Sequence, residues 1–206
     1  MAPSMKRIAV FGSTGQTGLC CLHAAVKKGL ETTAFVRDPE KIPEELKGKV
    51  KIVQGDVLNT QDVAKCLEGQ DGVVVALGTR NDTSPTTDLS TGLQNILNEM
   101  EKAHIKRVSV CISAFLFWER SKVPSVFQAL TEDHDRMLQY LKASNREWIA
   151  VLPPHIADEP GTNGKYQVEH GKGPGRVISK WDLGEFLVQS LSADEHIHQE
   201  CGICRP

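Results

Sequence analysis

A strand-length apolar run that stops at a glycine, with two more glycines at three-residue intervals behind it, constrains this chain more than any other feature. The stretch is Lys6 to Gly18, KRIAVFGSTGQTG. Ile8 to Phe11 is apolar and Gly12 cuts it off. Gly15 and Gly18 then open a segment in which Leu19, Leu22 and Val26 share one helical face. Strand, tight turn and helix in that order bring bare backbone N–H groups and a helix N-terminus to one point, which suits a pyrophosphate. The spacing is Gly-x-x-Gly-x-x-Gly rather than Gly-x-Gly-x-x-Gly, and three glycines alone say little. The strand before and the helix after give them weight. The competing reading is an ordinary strand-to-helix turn.

The same alternation continues along the chain. Strands are expected at Glu31–Val36, Lys49–Gln54, Val73–Leu77, Arg107–Ile112 and Trp148–Leu152. The run VVVAL at 73–77 is apolar throughout, as in strands buried on both faces of a parallel sheet. Helices are expected near Thr60–Leu67, through Leu89, Leu93, Ile96, Leu97 and Met100, and over Phe127–Ala143. Tyr166–Val168 and Val177–Ile178 read as a small hairpin or a seventh short strand. Ser179-x-x-Asp182 resembles a capping box ahead of a last helix with Leu183, Phe186, Leu187 and Leu191. The pattern predicts one doubly wound, Rossmann-like α/β domain over residues 1–206. Its parallel sheet should have six or seven strands, in the order 3-2-1-4-5-6. Right-handed crossovers then gather the loops after the strands along one rim.

Charge is nearly balanced, 24 basic against 26 acidic residues, so neither nucleic acid nor a membrane surface is an expected partner. No basic-then-apolar leader and no membrane-length apolar run is seen, and a soluble, cytoplasmic monomer is expected. The six cysteines, at 20, 21, 66, 111, 201 and 204, have no framework spacing and read as reduced thiols. Cys201-x-x-Cys204 could bind zinc with His196 and His198. A frayed tail is the simpler expectation there.

The expected rim carries the residues with chemistry. Arg37 stands 25 residues after Gly12, where an NAD site has an acidic residue, and an arginine suits a 2′-phosphate instead. Lys41 could add a second cation. Asp38, if it rather than Arg37 pointed inward, would accommodate NAD. Asp56 could accept from an adenine amino group or simply close a turn. Leu77 and Gly78 lie where the middle of a dinucleotide must pass, and Arg80 could reach a phosphate or a substrate carboxylate. Alternation puts Cys111 and Ser113 on one side of the fifth strand. Ser113 could hydrogen-bond a substrate carbonyl or a carboxamide. Cys111 is either core or a reactive thiol. His134 sits on the apolar stripe of its helix, either buried and satisfied or facing a cofactor. His155, after Pro153-Pro154, is the titratable group best placed for work near pH 7. The loop Ala114–Ser125, with Phe115, Leu116, Phe117 and Trp118 in a row, could wall a flat substrate.

Taken together, GSTGQTG, VRDPEK, GDV, LGTRNDTSPTT, CISAFLFW, TEDHDRM, LPPHI and GPGRVISKWDLG resemble the flavin reductase (NADPH) family, also called biliverdin-IXβ reductases. These are atypical short-chain dehydrogenase-like proteins. The likeness runs from about Arg7 to Leu191. It implies an NADPH-dependent reductase of flavins (FMN, FAD, riboflavin) and of non-α biliverdins, taking biliverdin IXβ to bilirubin IXβ. It also implies that Gly12, Thr14, Gly15, Gln16, Thr17 and Gly18 hold the pyrophosphate, and that Arg37 meets the 2′-phosphate with Lys41 nearby. By the same likeness Asp56 and Val57 flank adenine, and Leu77, Gly78 and Arg80 line the middle of the cofactor. Cys111, Ser113, His134, Pro153, His155 and Ile156 would surround nicotinamide and substrate. Ser190 is a departure, since a relative can carry cysteine there.

Ordinary short-chain dehydrogenases use Tyr-x-x-x-Lys, and neither Tyr140 nor Tyr166 has a lysine four residues on. Carbonyl–alcohol chemistry by that route is disfavoured. A conjugated ring needs less help, because it delocalises incoming charge and positioning can carry the reaction. Ser113, His155 and Cys111 are the candidates for catalytic roles. Rival readings are an NADPH-binding redox sensor without turnover, thiol group transfer at Cys111, and a dehydratase or epimerase that retains NAD.

Overall fold

The apolar runs of the sequence become strands buried on both faces, and the helices between them supply the cover. A computed structural model describes residues 5–206. The first half of the chain comprises β1 (Arg7–Phe11), α1 (Gln16–Lys27), β2 (Glu31–Val36), β3 (Lys51–Gln54), α2 (Thr60–Leu67), β4 (Gly72–Val75) and α3 (Asp88–Lys102). Then follow β5 (Arg107–Cys111), α4 (Ser125–Ala143), β6 (Glu147–Leu152), β7 (His155–Ala157), β8 (Gln167–His170), β9 (Val177–Ser179), α5 (Lys180–Gln189) and β10 (Gln199–Cys204). The main sheet has eight strands in the order β3-β2-β1-β4-β5-β6-β10-β8. All neighbours are parallel except β10 with β8. The expected order 3-2-1-4-5-6 is present and extended by two strands.

Alternation divides the core. Along β1, Ala9 and Phe11 face one apolar layer with α2, α3 and α4, while Ile8 and Val10 face the other with α1 and α5. Helix starts are held both locally and by distant side chains. Asn59 accepts from the Gln61 and Asp62 amides ahead of α2. Asp133, fully buried on α4, accepts from the Leu89 and Ser90 amides in the first turn of α3 and pairs with Arg136. That carboxylate ties α4 to the start of α3.

Four expectations are corrected. β4 ends at Val75 rather than Leu77: the Ala76 amide still donates to Phe11 at 2.9 Å, but beyond it β1 has turned away at Gly12 and offers no further partner. Residues 166–168 and 177–178 do not pair with each other. β8 joins β10, and β9 pairs with β7 in a separate two-stranded sheet. Ser179 does cap α5, accepting from Trp181, but Asp182 turns away and accepts from the Thr162 amide. The tail is no frayed end: Cys201–Cys204 are all buried in β10, next to β6. Nor does its Cys-x-x-Cys pair form a zinc quartet with His196 and His198, the other possibility the spacing offered. Residues three apart in a strand point to opposite faces. The Cys204 thiol lies toward Gln167, and the His198 ring tilts against Trp148.

Candidate active site

The turn after β1 is built from close backbone contacts. Gly12 has φ +79°, a conformation that strains any other residue, and a Cβ there would lie 2.2 Å from the Ala76 carbonyl oxygen. The Gly15 amide donates to the Gly12 carbonyl at 3.0 Å and closes the turn. α1 then begins with Gly15 as its cap, without a side-chain capping bond and without an acidic residue in its first turn. The leading N–H groups, from Gln16, Thr17 and Gly18, have no intrahelical partner and carry the positive end of the helix dipole. A bare, uncapped helix start behind a glycine turn fits a dinucleotide's pyrophosphate.

Other loops close around that turn. The Arg80 guanidinium donates to the Thr14 hydroxyl at 3.1 Å, which brings the β4 loop over the glycine turn. Arg80 and Asn81 both have positive φ, at 53° and 74°. Two consecutive left-handed residues that are not glycine mark a strained bend of the kind found at binding sites. Val57 and Leu77 converge over Gly92 of α3, where a Cβ would meet both side chains. Asn95 secures this corner by donating to the Val57 carbonyl at 3.0 Å. A Cβ on Gly78 would meet nothing within 4 Å, so the loop leaves open ground there.

Beyond β2 the two candidate polar groups separate. Asp38 accepts from the Glu40 amide as the cap of a short 3-10 turn, and its other oxygen lies 3.7 Å from Lys41. Among the described residues no ion pair engages the exposed Arg37 side chain. Lys41 is thus drawn to Asp38, and Arg37 is left without an ionic partner among the described residues. Asp56 closes its turn by accepting from the Leu58 amide at 2.9 Å.

The ends of β5 and β6 meet on the same rim of the sheet as the glycine turn. The Ile112 amide donates to Val151 at 2.8 Å, and the Ala114 amide to Pro153 at 3.0 Å. Ser113 is therefore beside the chain that leads through Pro153 and Pro154 to His155. The Ser113 hydroxyl oxygen accepts from the Phe115 amide at 3.3 Å, so its proton remains available to a ligand. His155 is exposed at the start of β7, its amide donating to Arg176 at 3.2 Å, and Ile156 packs on the core behind it. The residues after Ser113 form a half-buried turn. Phe115 meets Trp118 edge-on at 5.2 Å and Phe127 at 5.3 Å. Leu116 and Phe117 anchor the turn in the core, while Trp118 is 53% exposed. The row of aromatics thus makes a wall rather than a loose loop.

Two candidates have other surroundings. Cys111 is buried in the layer that also holds Cys21, and burial pushes its thiol up to about 12. At neutral pH it stays a protonated packing residue, which removes the basis for nucleophilic thiol chemistry. Ser190, the position of the departure, is fully buried and donates to Ser109 or Leu187. His134 on α4 is deeply placed, with its Nδ1 buried and unpartnered, and burial lowers its pKa to about 4 despite the adjacent Asp133. It is a neutral imidazole whose buried Nδ1 has no hydrogen-bond partner.

The sequence reading missed the clamp formed by Asp133 and Arg136, in which Arg136 also donates to the Thr86 carbonyl at 2.8 Å. The Asp-x-x-Arg spacing on a helix was the available signal. Among the described residues no helix is long and apolar enough to cross a membrane.

Comparison with known proteins agrees with this geometry. A family profile described as NAD(P)H-binding matches residues 12–194. The oxidoreductase ordB of Dothistroma septosporum is 25% identical over 222 aligned positions, which cover 95% of this chain and 81% of that protein. Among solved structures, the oxidoreductase ylbE from Lactococcus lactis superposes with a TM-score of 0.82 at 20% identity, covering 97% of this chain and 91% of its own. ChuY, an anaerobillin reductase from Escherichia coli O157:H7, does so with a TM-score of 0.79 at 19% identity, covering 98% of each chain. At such identities the two structures speak for the fold alone. The profile covers most of the chain and begins on Gly12, the first residue of the glycine turn: this chain belongs to the NAD(P)H-binding family.

Proposed function

We propose that the protein is an NADPH-dependent oxidoreductase that reduces flavins and non-α biliverdins, including biliverdin IXβ to bilirubin IXβ. The observation that carries this reading is the aromatic wall of Phe115 and Trp118 next to Ser113, in a chain without the Tyr-x-x-x-Lys acid. A flat, conjugated acceptor can lie against such a wall and needs little acid assistance. The name of ordB, an oxidoreductase, supports the reaction class, and the motif likeness supports the substrate class.

Bound NADPH supplies the hydride. The chain's residues bind, orient and shield. The α1 N-terminus with Thr14 and Arg80 holds the pyrophosphate, and Arg37 meets the 2′-phosphate. Neutral His134 would neighbour the uncharged carboxamide. Ser113 donates to a substrate carbonyl. Exposed His155, or water reaching it, supplies the proton.

Arg37→Gln tests the cofactor. Charge-assisted hydrogen bonds contribute roughly 1.5–3 kcal/mol, so the variant is expected to bind NADPH about 10–150-fold more weakly. NADH affinity should stay within about twofold, as fluorescence titration would show. Equal affinity of the unaltered protein for NADPH and NADH would remove the role of Arg37. Steady-state oxidation of NADPH with FMN tests turnover. Absence of turnover alongside tight NADPH binding would favour a redox sensor. In that assay Ser113→Ala is expected to lower kcat/KM about 3–10-fold, the worth of one neutral hydrogen bond. His155→Ala should act mainly on kcat. If both variants keep full kcat and KM, the substrate end lies elsewhere.

A further inference from the structure

The geometry points to a second, metal-binding site formed by His170, His196 and Cys201, suited to a zinc-class divalent cation. We propose that these three side chains ligate one such ion. The cluster lies on the β10–β8 edge of the sheet, apart from the glycine turn. One ligand atom from each residue lies within 4.8 Å of the other two. His170 Nε2 is 2.9 Å from His196 Nδ1, and the Cys201 sulfur is 3.8 Å from the same nitrogen.

The fold produces the cluster by register. Cys201 of β10 is directly opposite His170 of β8 in the antiparallel pair, so both side chains are on one face. His196 comes from the short 3-10 turn Asp194–His196 just before β10. Its ring is held edge-on between Phe186, at 5.1 Å, and His170, at 5.2 Å. The Cys-x-x-Cys spacing hides this set, because the ligands come from three separate elements and Cys204 is excluded.

Zinc bonds of about 2.3 Å to sulfur and 2.0–2.1 Å to nitrogen, at tetrahedral angles, place the ligand atoms about 3.6 Å (S to N) and 3.3 Å (N to N) apart. The two observed separations differ from these by a few tenths of an ångström. The approach of two imidazole nitrogens to 2.9 Å requires a shared proton between them. A cation replaces that proton once each ring carries its hydrogen on the outer nitrogen. The imidazoles thus only change tautomer, and the one proton released comes from the Cys201 thiol. A cavity of about 270 Å³, bordered by Tyr166, Phe186, Gln189 and His196, adjoins the cluster and leaves room for water as a fourth ligand. An ion here would fasten the exposed edge strand β8 to buried β10.

Cobalt(II) is the direct probe. The full-length protein, reduced and freed of metal with a chelator, is titrated anaerobically with cobalt chloride. One equivalent should bind, with a thiolate-to-cobalt band in the near ultraviolet and the strong visible absorption of a tetrahedral site. Zinc chloride should displace it and bleach both features. Cys201→Ser should lose the thiolate band. His170→Asn alters an exposed side chain and so should leave the fold intact, while weakening cobalt binding at least tenfold. Zinc should raise the melting temperature of the unaltered protein and not that of His170→Asn. No stoichiometric cobalt binding, binding without a thiolate band, or binding unchanged in His170→Asn would each overturn the proposal.

Discussion

Gly18→Ala is expected to melt roughly 3–10 °C below the unaltered protein and to lose measurable affinity for NADPH. A Cβ on Gly18 would lie 2.0 Å from the Gly12 carbonyl oxygen, 2.7 Å from its carbon and 3.0 Å from the Ser13 Cα. All three are backbone atoms, so no side chain can swing aside. Either the turn opens or α1 lifts. Lifting α1 would uncover Leu22 and Ala25, both fully buried. Overpacking of this kind costs about 1–3 kcal/mol, and each kcal/mol is worth roughly 2–4 °C in a chain of this size. Either movement also displaces the amides proposed to meet the pyrophosphate. Gly29→Ala is the matched control. Gly29 has φ +72° with nothing within 4 Å of its Cβ, so alanine there strains only the backbone. It should cost about 1 kcal/mol and leave NADPH affinity unchanged. Calorimetry and an NADPH fluorescence titration separate the two variants. A folded Gly18→Ala protein with full affinity would place the phosphates away from this turn.

The turn was readable because its chemistry is local: strand, glycines and helix are consecutive in the chain. The same holds for Glu31–Val36 and Thr60–Leu67, whose ends coincide with β2 and α2. β10 was not readable, because nothing in QECGIC distinguishes a tail from a strand. It is a strand because β6 and β8 flank it, 50 and 31 residues upstream as measured at the Cys201 pairings with Val151 and His170. Side-chain direction was hidden for a similar reason. The stretch Arg37-Asp38 offers both a cation and an anion to a ribose. The structure bears on the choice only by occupying Asp38 with the Glu40 amide and Lys41. The strand position of Cys111 allowed both a pocket thiol and a core residue. Which one it is depends on α1, whose Cys21 shares its layer. Residues whose roles depend on what a distant element covers are those on which the sequence leaves the choice open.

His134 shows how such cover becomes a measurable property. Stability is expected to fall as pH is lowered from about 6.5 toward 4, by an amount on the order of 3 kcal/mol from this one group. Burial depresses the folded-state pKa to about 4, and Asp133, which acts in the opposite direction, does not offset it. The unfolded chain takes up a proton near the ordinary imidazole value, while the folded protein does not until pH approaches 4. The stabilisation is thus complete above about 6.5 and is lost as pH falls through the folded value. His134→Gln keeps a polar side chain but removes the titration. Urea denaturation of both proteins between pH 7.5 and 4.5 cancels the carboxylates they share. The unaltered protein should lose stability more steeply, with the gap between the curves changing mainly below pH 6.5. Parallel curves would mean that the ring is hydrated or that its Nδ1 has a partner in solution. NADPH sharpens the comparison. If His134 neighbours the carboxamide, saturating cofactor should protect the unaltered protein more than His134→Gln at pH 7, where the imidazole is neutral in either state.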